Sequence, residues 1–339
     1  MRVLPFINDI LRYDSLSIVG LEKNTGKTEC LKYVLDRLPV QTKRIAVTSI
    51  GIDGETVDQV TRTQKPEIVL REGMYFGTSE THYRQRRLVS ELIDVSDENT
   101  SLGRVVTARA LTGGKILLSG PSSANSLRRW MGDMRRLGID LVIIDGALSR
   151  LSSASPAVSQ SMILATGAAY SANINTLVSK TAHVVDLVNL ELTSEKNRDT
   201  LSLLDKGLWF IDKQGELHLL DTMTSLSKDI HFQGMEDCET LYVAGALVDG
   251  FLEKVRKNKN LKQVELVVRD FTKIFVTPQQ FRLFIKAGGR ISVLQKSKLI
   301  AVTVNPTSPS GYVLDSDTLC ARLSEAIGLP VYDLIKNNG

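Results

Sequence analysis

The chain has 339 residues, 42% of them apolar and 24% charged, with a formal net charge of +4 at pH 7. This is the balance of a soluble globular protein, long enough for two domains or for one large α/β domain with extensions. So mild a charge gives no reason to expect nucleic acid, no run approaches the ~18 apolar residues of a membrane span, and the apolar stretch near Met1 is too short for a signal peptide.

Residues 15–19, Ser-Leu-Ser-Ile-Val, predict a buried strand, and Leu31, Val34, Leu35 and Leu38 mark one face of the helix that follows. Between them residues 20–28 read Gly-Leu-Glu-Lys-Asn-Thr-Gly-Lys-Thr. Strand, glycine-containing loop and helix in that order are the setting of a phosphate-binding loop. Backbone N–H groups from Asn24 through Thr25 and Gly26 to Lys27 would converge on a β-phosphate at the helix N-terminus, where the helix dipole favours an anion. Lys27 would bridge β- and γ-phosphates, and the Thr28 hydroxyl would complete a Mg²⁺ shell. Five residues separate Gly20 from Gly26, one more than in the common form of the motif. The loop is therefore enlarged, or Leu21 takes the place of its first glycine.

The next strand is expected at residues 44–48, leading into Ser49-Ile-Gly-Ile-Asp-Gly-Glu55. Asp53 and Glu55 fall just beyond it, on the edge that carries the loop. An acid there orders an attacking water or joins the outer magnesium shell; the alternative is an Asp-Gly turn that caps the next helix. Residues 65–80 are irregular and offer Lys65 or Thr78 as sensors of a γ-phosphate, or a simple edge strand and turn. Arg84, Arg86 and Arg87 suit an acidic partner or a solvated face. A strand at residues 114–118 then ends in Ser-Gly-Pro-Ser-Ser, and Leu127, Trp130, Met131 and Met134 form the core stripe of a helix.

Residues 140–144, Asp-Leu-Val-Ile-Ile, deliver Asp145 at a strand's carboxyl end. Coupled to Lys27, that is the pattern of a magnesium-ordering carboxylate. Arg150, a few residues on, either pairs with phosphate or Asp145 or lies on the surface. The last strand of this half, at 161–165, ends in Thr-Gly-Ala-Ala. No Asn-Lys-x-Asp tetrapeptide occurs anywhere, which favours ATP over GTP.

The polar stretch 191–199 reads as a boundary. It divides a nucleotide-binding domain, 1–190, from a C-terminal α/β domain, 200–339, whose role is expected to be partner binding. The second part predicts strands at 240–247, 263–268, 291–304 (a hairpin) and 330–335, with helices after Val248, Pro278 and Asp315. Its basic stretch at 254–262 reads as a solvated helix end. Cys30, Cys238 and Cys320 are far apart and the four histidines isolated, so neither a disulfide framework nor a metal site is expected, and the compartment reads as reducing and cytoplasmic. Cys30, just inside the helix after the loop, is either reactive or a small buried side chain. The fold class expected is α/β: a mostly parallel sheet flanked by helices, with a second α/β half.

The long loop resembles that of the dethiobiotin-synthetase-like branch of P-loop proteins, which includes ATP-dependent ligases, partitioning ATPases and cofactor-chaperone NTPases. Residues 19–28, 48–55, 145–150, 165–168 and 303–306 look, more specifically, like the P-loop accessory protein found with adenosylcobalamin-dependent lysine and ornithine aminomutases. That resemblance implies a reactivase subunit working with a MutS-like ATPase to exchange damaged cobalamin in the aminomutase. By that resemblance Gly26, Lys27 and Thr28 would bind phosphate and Asp145 the magnesium. With ATP and Mg²⁺ as cofactors, the residues themselves make Lys27, Asp53 and Asp145 the expected catalytic set. An ATP-dependent small-molecule ligase or kinase, with its substrate near Asp53 and residues 119–121, is the alternative. A nucleotide-binding scaffold without turnover is the third.

Overall fold

The computed structural model describes residues 4–50, 67–147, 158–220, 224–227, 230, 232, 235–259 and 264–336. The chain divides into two compact units, one formed by Met1–Thr181 with Lys298–Gly339 and the other by Ala182–Ser297.

The first unit holds strands β1 (Ser15–Gly20), β2 (Ile45–Ser49), β3 (Ile68–Leu70), β4 (Tyr75–Ser79), β5 (Ser90–Thr100), β6 (Gly103–Ala110), β7 (Gly114–Ile116), β8 (Leu141–Ala147) and β9 (Ser161–Gly167), most of them short apolar runs. The same unit holds α1 (Phe6–Ile10), α2 (Lys27–Arg37), α3 (Glu80–Arg84) and α4 (Ala124–Arg136), and α5 (Ile174–Val188) begins in it. The second unit contributes β10 (Glu191–Leu192), β11 (Leu208–Asp212), β12 (Leu217–Leu219), β13 (Cys238–Val243), β14 (Leu247–Val248), β15 (Glu265–Val268), β16 (Ile274–Phe275) and β17 (Arg290–Val293), with α6 (Glu195–Leu201), α7 (Asp249–Lys257) and α8 (Pro278–Lys286). The chain then re-enters the first unit as β18 (Lys298–Asn305), α9 (Ser316–Ile327) and β19 (Val331–Asp333).

The larger sheet runs β19-β18-β9-β1-β8-β2-β4-β6-β5. Every pairing from β19 to β4 is parallel, and β6 and β5 close the edge as an antiparallel hairpin. A parallel sheet needs both faces covered, and every residue of β1, β2 and β9 is buried. In β8, Leu141 and Ile143 join one core with α1 and α2, whereas Val142 and Ile144 join the other with α4. Leu127, Trp130, Met131 and Met134 are buried as the helical stripe predicts. The second unit's sheet, β10-β17-β15-β13-β11-β12, is parallel from β10 to β13 and antiparallel beyond. The protein is therefore α/β, with mixed sheets that are mostly parallel and flanked by helices.

Three expectations are corrected. Residues 291–304 are not a hairpin: β17 pairs with β15 in the second unit, and β18 lies between β9 and β19 in the first. For the same reason the two units do not divide the chain at 190–200, since the last 42 residues, Lys298–Gly339, belong with the first. The segment expected as a strand at 114–118 is only β7, paired with β3 in a ribbon outside the main sheet. No helix among the described residues is long and apolar enough to cross a membrane.

Candidate functional site

From β1 the chain moves by way of α2 to β2, on the far side of β8; from β9, on the other flank of β1, it continues to β18 in the opposite direction. The carboxyl ends of β1 and β9 thus border a topological switch point, the usual position of a ligand crevice in open α/β sheets. Residues 20–28 are there.

β1 ends at Gly20, where a Cβ would crowd the Thr25 Oγ1 at 2.9 Å. Thr25 is buried and its hydroxyl donates to the Glu22 carbonyl at 2.8 Å, closing the turn from inside. Asn24 has φ +62°, the single non-glycine residue with positive φ among those described. Gly26 caps α2 with φ +89°, a left-handed conformation that glycine adopts without penalty. Lys27 is the first residue of α2 and Thr28 the second. The loop is anchored to β9 where the Leu21 N–H donates to the Ala165 carbonyl at 2.9 Å.

Because β1 and β8 are parallel neighbours with Ile18 opposite Asp145, the carboxylate emerges beside the loop. The Lys27 Nζ lies 2.7 Å from the Asp145 Oδ1, both side chains about a quarter exposed. The two residues that the sequence singled out 118 positions apart are in direct contact. Their environment combines a cation, a carboxylate, a hydroxyl and a helix N-terminus at one strand edge, an arrangement suited to a polyanion and a divalent cation. One carboxylate, Asp145, is beside Lys27, and Thr28 is the next residue of α2. Among the described residues no group of three or more His, Cys, Asp or Glu side chains forms a protein cage.

The loop has one further neighbour that sequence reasoning gave no role. Asn305, the last residue of β18, donates from its Nδ2 to the Asn24 carbonyl at 2.9 Å, across 281 positions.

No family model matches the chain, and no curated protein or solved structure is significantly similar to it.

Asp53, Glu55, Lys65 and Arg150 lie outside the described residues. Thr78 is corrected as a phosphate sensor: it is fully buried in β4, an internal strand, with its hydroxyl donated to the Leu117 carbonyl at 2.8 Å. Ser119 is equally committed. Its Oγ is 2.7 Å from the His82 Nδ1 and donates to the Ser79 Oγ at 2.7 Å, and all three residues are buried. Cys30 is the small buried side chain of the two readings: burial above all pushes its thiol up to about 12, the nearby Asp145 carboxylate adding to the shift and a hydrogen bond with Thr303 opposing it.

Proposed function

We propose that the protein is an ATP- and Mg²⁺-binding conformational switch, an accessory ATPase that couples the nucleotide state to its grip on a protein partner. The observation that carries this reading is the 2.7 Å contact between Lys27, the first residue of α2, and Asp145 of β8, the parallel neighbour of β1. The ion pair brings the phosphate-binding cation and the magnesium-ordering carboxylate within reach of one ligand. Nucleotide would draw Lys27 onto its phosphates; magnesium, when bound, would take over the charge of Asp145 and neutralise the triphosphate. By resemblance, the partner would be an adenosylcobalamin-dependent aminomutase with a MutS-like ATPase subunit. The ligase or kinase reading has less support, since Ser119, expected near its substrate, is buried and already hydrogen-bonded.

The test is ATP turnover with Mg²⁺, for the protein alone and with the aminomutase and MutS-like proteins. Lys27→Ala should weaken ATP binding by about 10- to 150-fold, the value of a lost charge-assisted hydrogen bond of about 1.5–3 kcal/mol. Stimulation by the proteins, abolished by that variant, is the expected result. Turnover that responds to a carboxylate metabolite and to no protein would replace the switch with the ligase, and unchanged binding by Lys27→Ala would end both readings.

A further inference from the structure

We infer that Asn305 is a positioning residue for the phosphate-binding loop: by holding the Asn24 carbonyl it aims the Thr25 N–H at the phosphate. The inference rests on the nucleotide reading above and adds a residue from the far end of the chain to its site.

The side-chain amide has only one orientation that satisfies both of its partners. The Asn305 Oδ1 accepts from the Thr307 N–H at 3.1 Å, and a backbone N–H can only donate. The Nδ2 faces the Asn24 carbonyl at 2.9 Å, and a carbonyl can only accept. Turning the amide over would break both bonds, so the donor toward the loop is fixed. The backbone of Asn305 is held as firmly. Its carbonyl accepts from the Ala168 N–H at 2.8 Å, and its place between β9 and the loop is so close that a Cβ on Gly167 would overlap the Asn305 carbonyl. A Cβ on Gly26 would come within 3.0 Å of the Asn305 Cβ. Glycines at 26 and 167 leave the room that Asn305 fills.

The consequence follows from peptide geometry. The Asn24 carbonyl and the Thr25 N–H belong to one trans peptide plane and point in opposite directions. With the carbonyl turned toward Asn305, the Thr25 N–H is turned away from Asn305, and this is the N–H that an anion gathered by the loop would meet. Asn24 is in the left-handed region, which asparagine tolerates better than other side-chain-bearing residues but less freely than glycine, and the bond from Asn305 adds to what holds it there.

The experiment compares wild type with Asn305→Asp, which keeps the size and the acceptor for Thr307 but cannot donate, and with Asn305→Ala. Two readouts are taken on the full chain: hydrogen exchange of the amides of residues 21–27 without nucleotide, and affinity for ADP, GDP and inorganic pyrophosphate. Faster exchange confined to the loop, with an affinity loss of about fivefold or more that is equal for all three ligands, is expected for one net hydrogen bond of about 1 kcal/mol. Adding Asn24→Gly, which removes the conformational penalty at that residue, should restore part of the affinity.

Unchanged exchange and unchanged affinity would overturn the inference while leaving the nucleotide reading intact. A loss for ADP with none for pyrophosphate would also overturn it, making Asn305 a contact to the base. A fall in melting temperature with no change in phosphate affinity would reduce it to a structural residue. If wild type binds none of the three ligands, the nucleotide reading fails, and the phosphate role of Asn305 fails with it.

Discussion

Lys27 and Asp145 each have the other as counter-ion, so removing one charge changes the task of the other. Asp145→Asn frees the lysine. If the protein binds nucleotide as proposed, ADP should then bind at least as tightly without magnesium, and any gain in ATP affinity from magnesium should be smaller than in wild type; calorimetry with and without Mg²⁺ reads both. Cys30 and Cys238 are buried, and burial pushes both thiols up to about 12. At pH 8 a thiol reagent should therefore modify Cys320, which is partly exposed although burial pushes its thiol up as well, ahead of the other two, and all three after unfolding. The sign of the pH dependence follows. Above pH 9, the ordinary value for these thiols, the unfolded chain loses protons that the folded protein keeps, so stability falls as pH rises toward 12. The slope is at most about 1.4 kcal/mol per pH unit for each thiol. Urea-unfolding midpoints between pH 8 and 11 should decline less steeply for Cys238→Ala than for wild type.

Among the elements, the crossing of residues 117–121 over the ends of β2 and β4 depends on Gly120. Its N–H donates to the Ser49 Oγ at 3.2 Å, and a Cβ there would overlap the Ser49 carbonyl and the Thr48 hydroxyl. Gly120→Ala should cost about 1–3 kcal/mol, the usual penalty of overpacking, seen as a lower denaturation midpoint. Elements buried on both faces were legible in the sequence: β1, β2, β8 and β9 are short, largely apolar runs bounded by small or polar residues, and α4 has a clean 3.6-residue stripe. The hairpin β5–β6 was not. β5 is an edge strand with solvent on it, its exposed and half-buried residues do not alternate, and its register shifts at two places. Glu91, Asp94, Asp97 and Glu98 give that edge a charge that discourages pairing with another chain, and they also erase the period-two signal.

For the whole molecule, the return of β18, α9 and β19 to the first unit has a direct consequence. A chain cut after residue 190 would leave β9 as an unpaired apolar edge and would lack Asn305. It should be poorly soluble and bind no nucleotide, even though it retains residues 20–28; light scattering and ADP titration check this against the full chain. Sequence alone determined the local chemistry: a loop with Gly26, Lys27 and Thr28 between a strand and a helix, and an aspartate closing an apolar strand, because hydrophobic period and turn residues act over a few positions. Only the tertiary structure decided the partners. That Lys27 meets Asp145, that β18 leaves its sequence neighbour β17 for β9, and that Asn305 reaches Asn24 are matters of strand order. Strand order is set by which apolar faces bury one another across the sheet, a choice that no short window of sequence records.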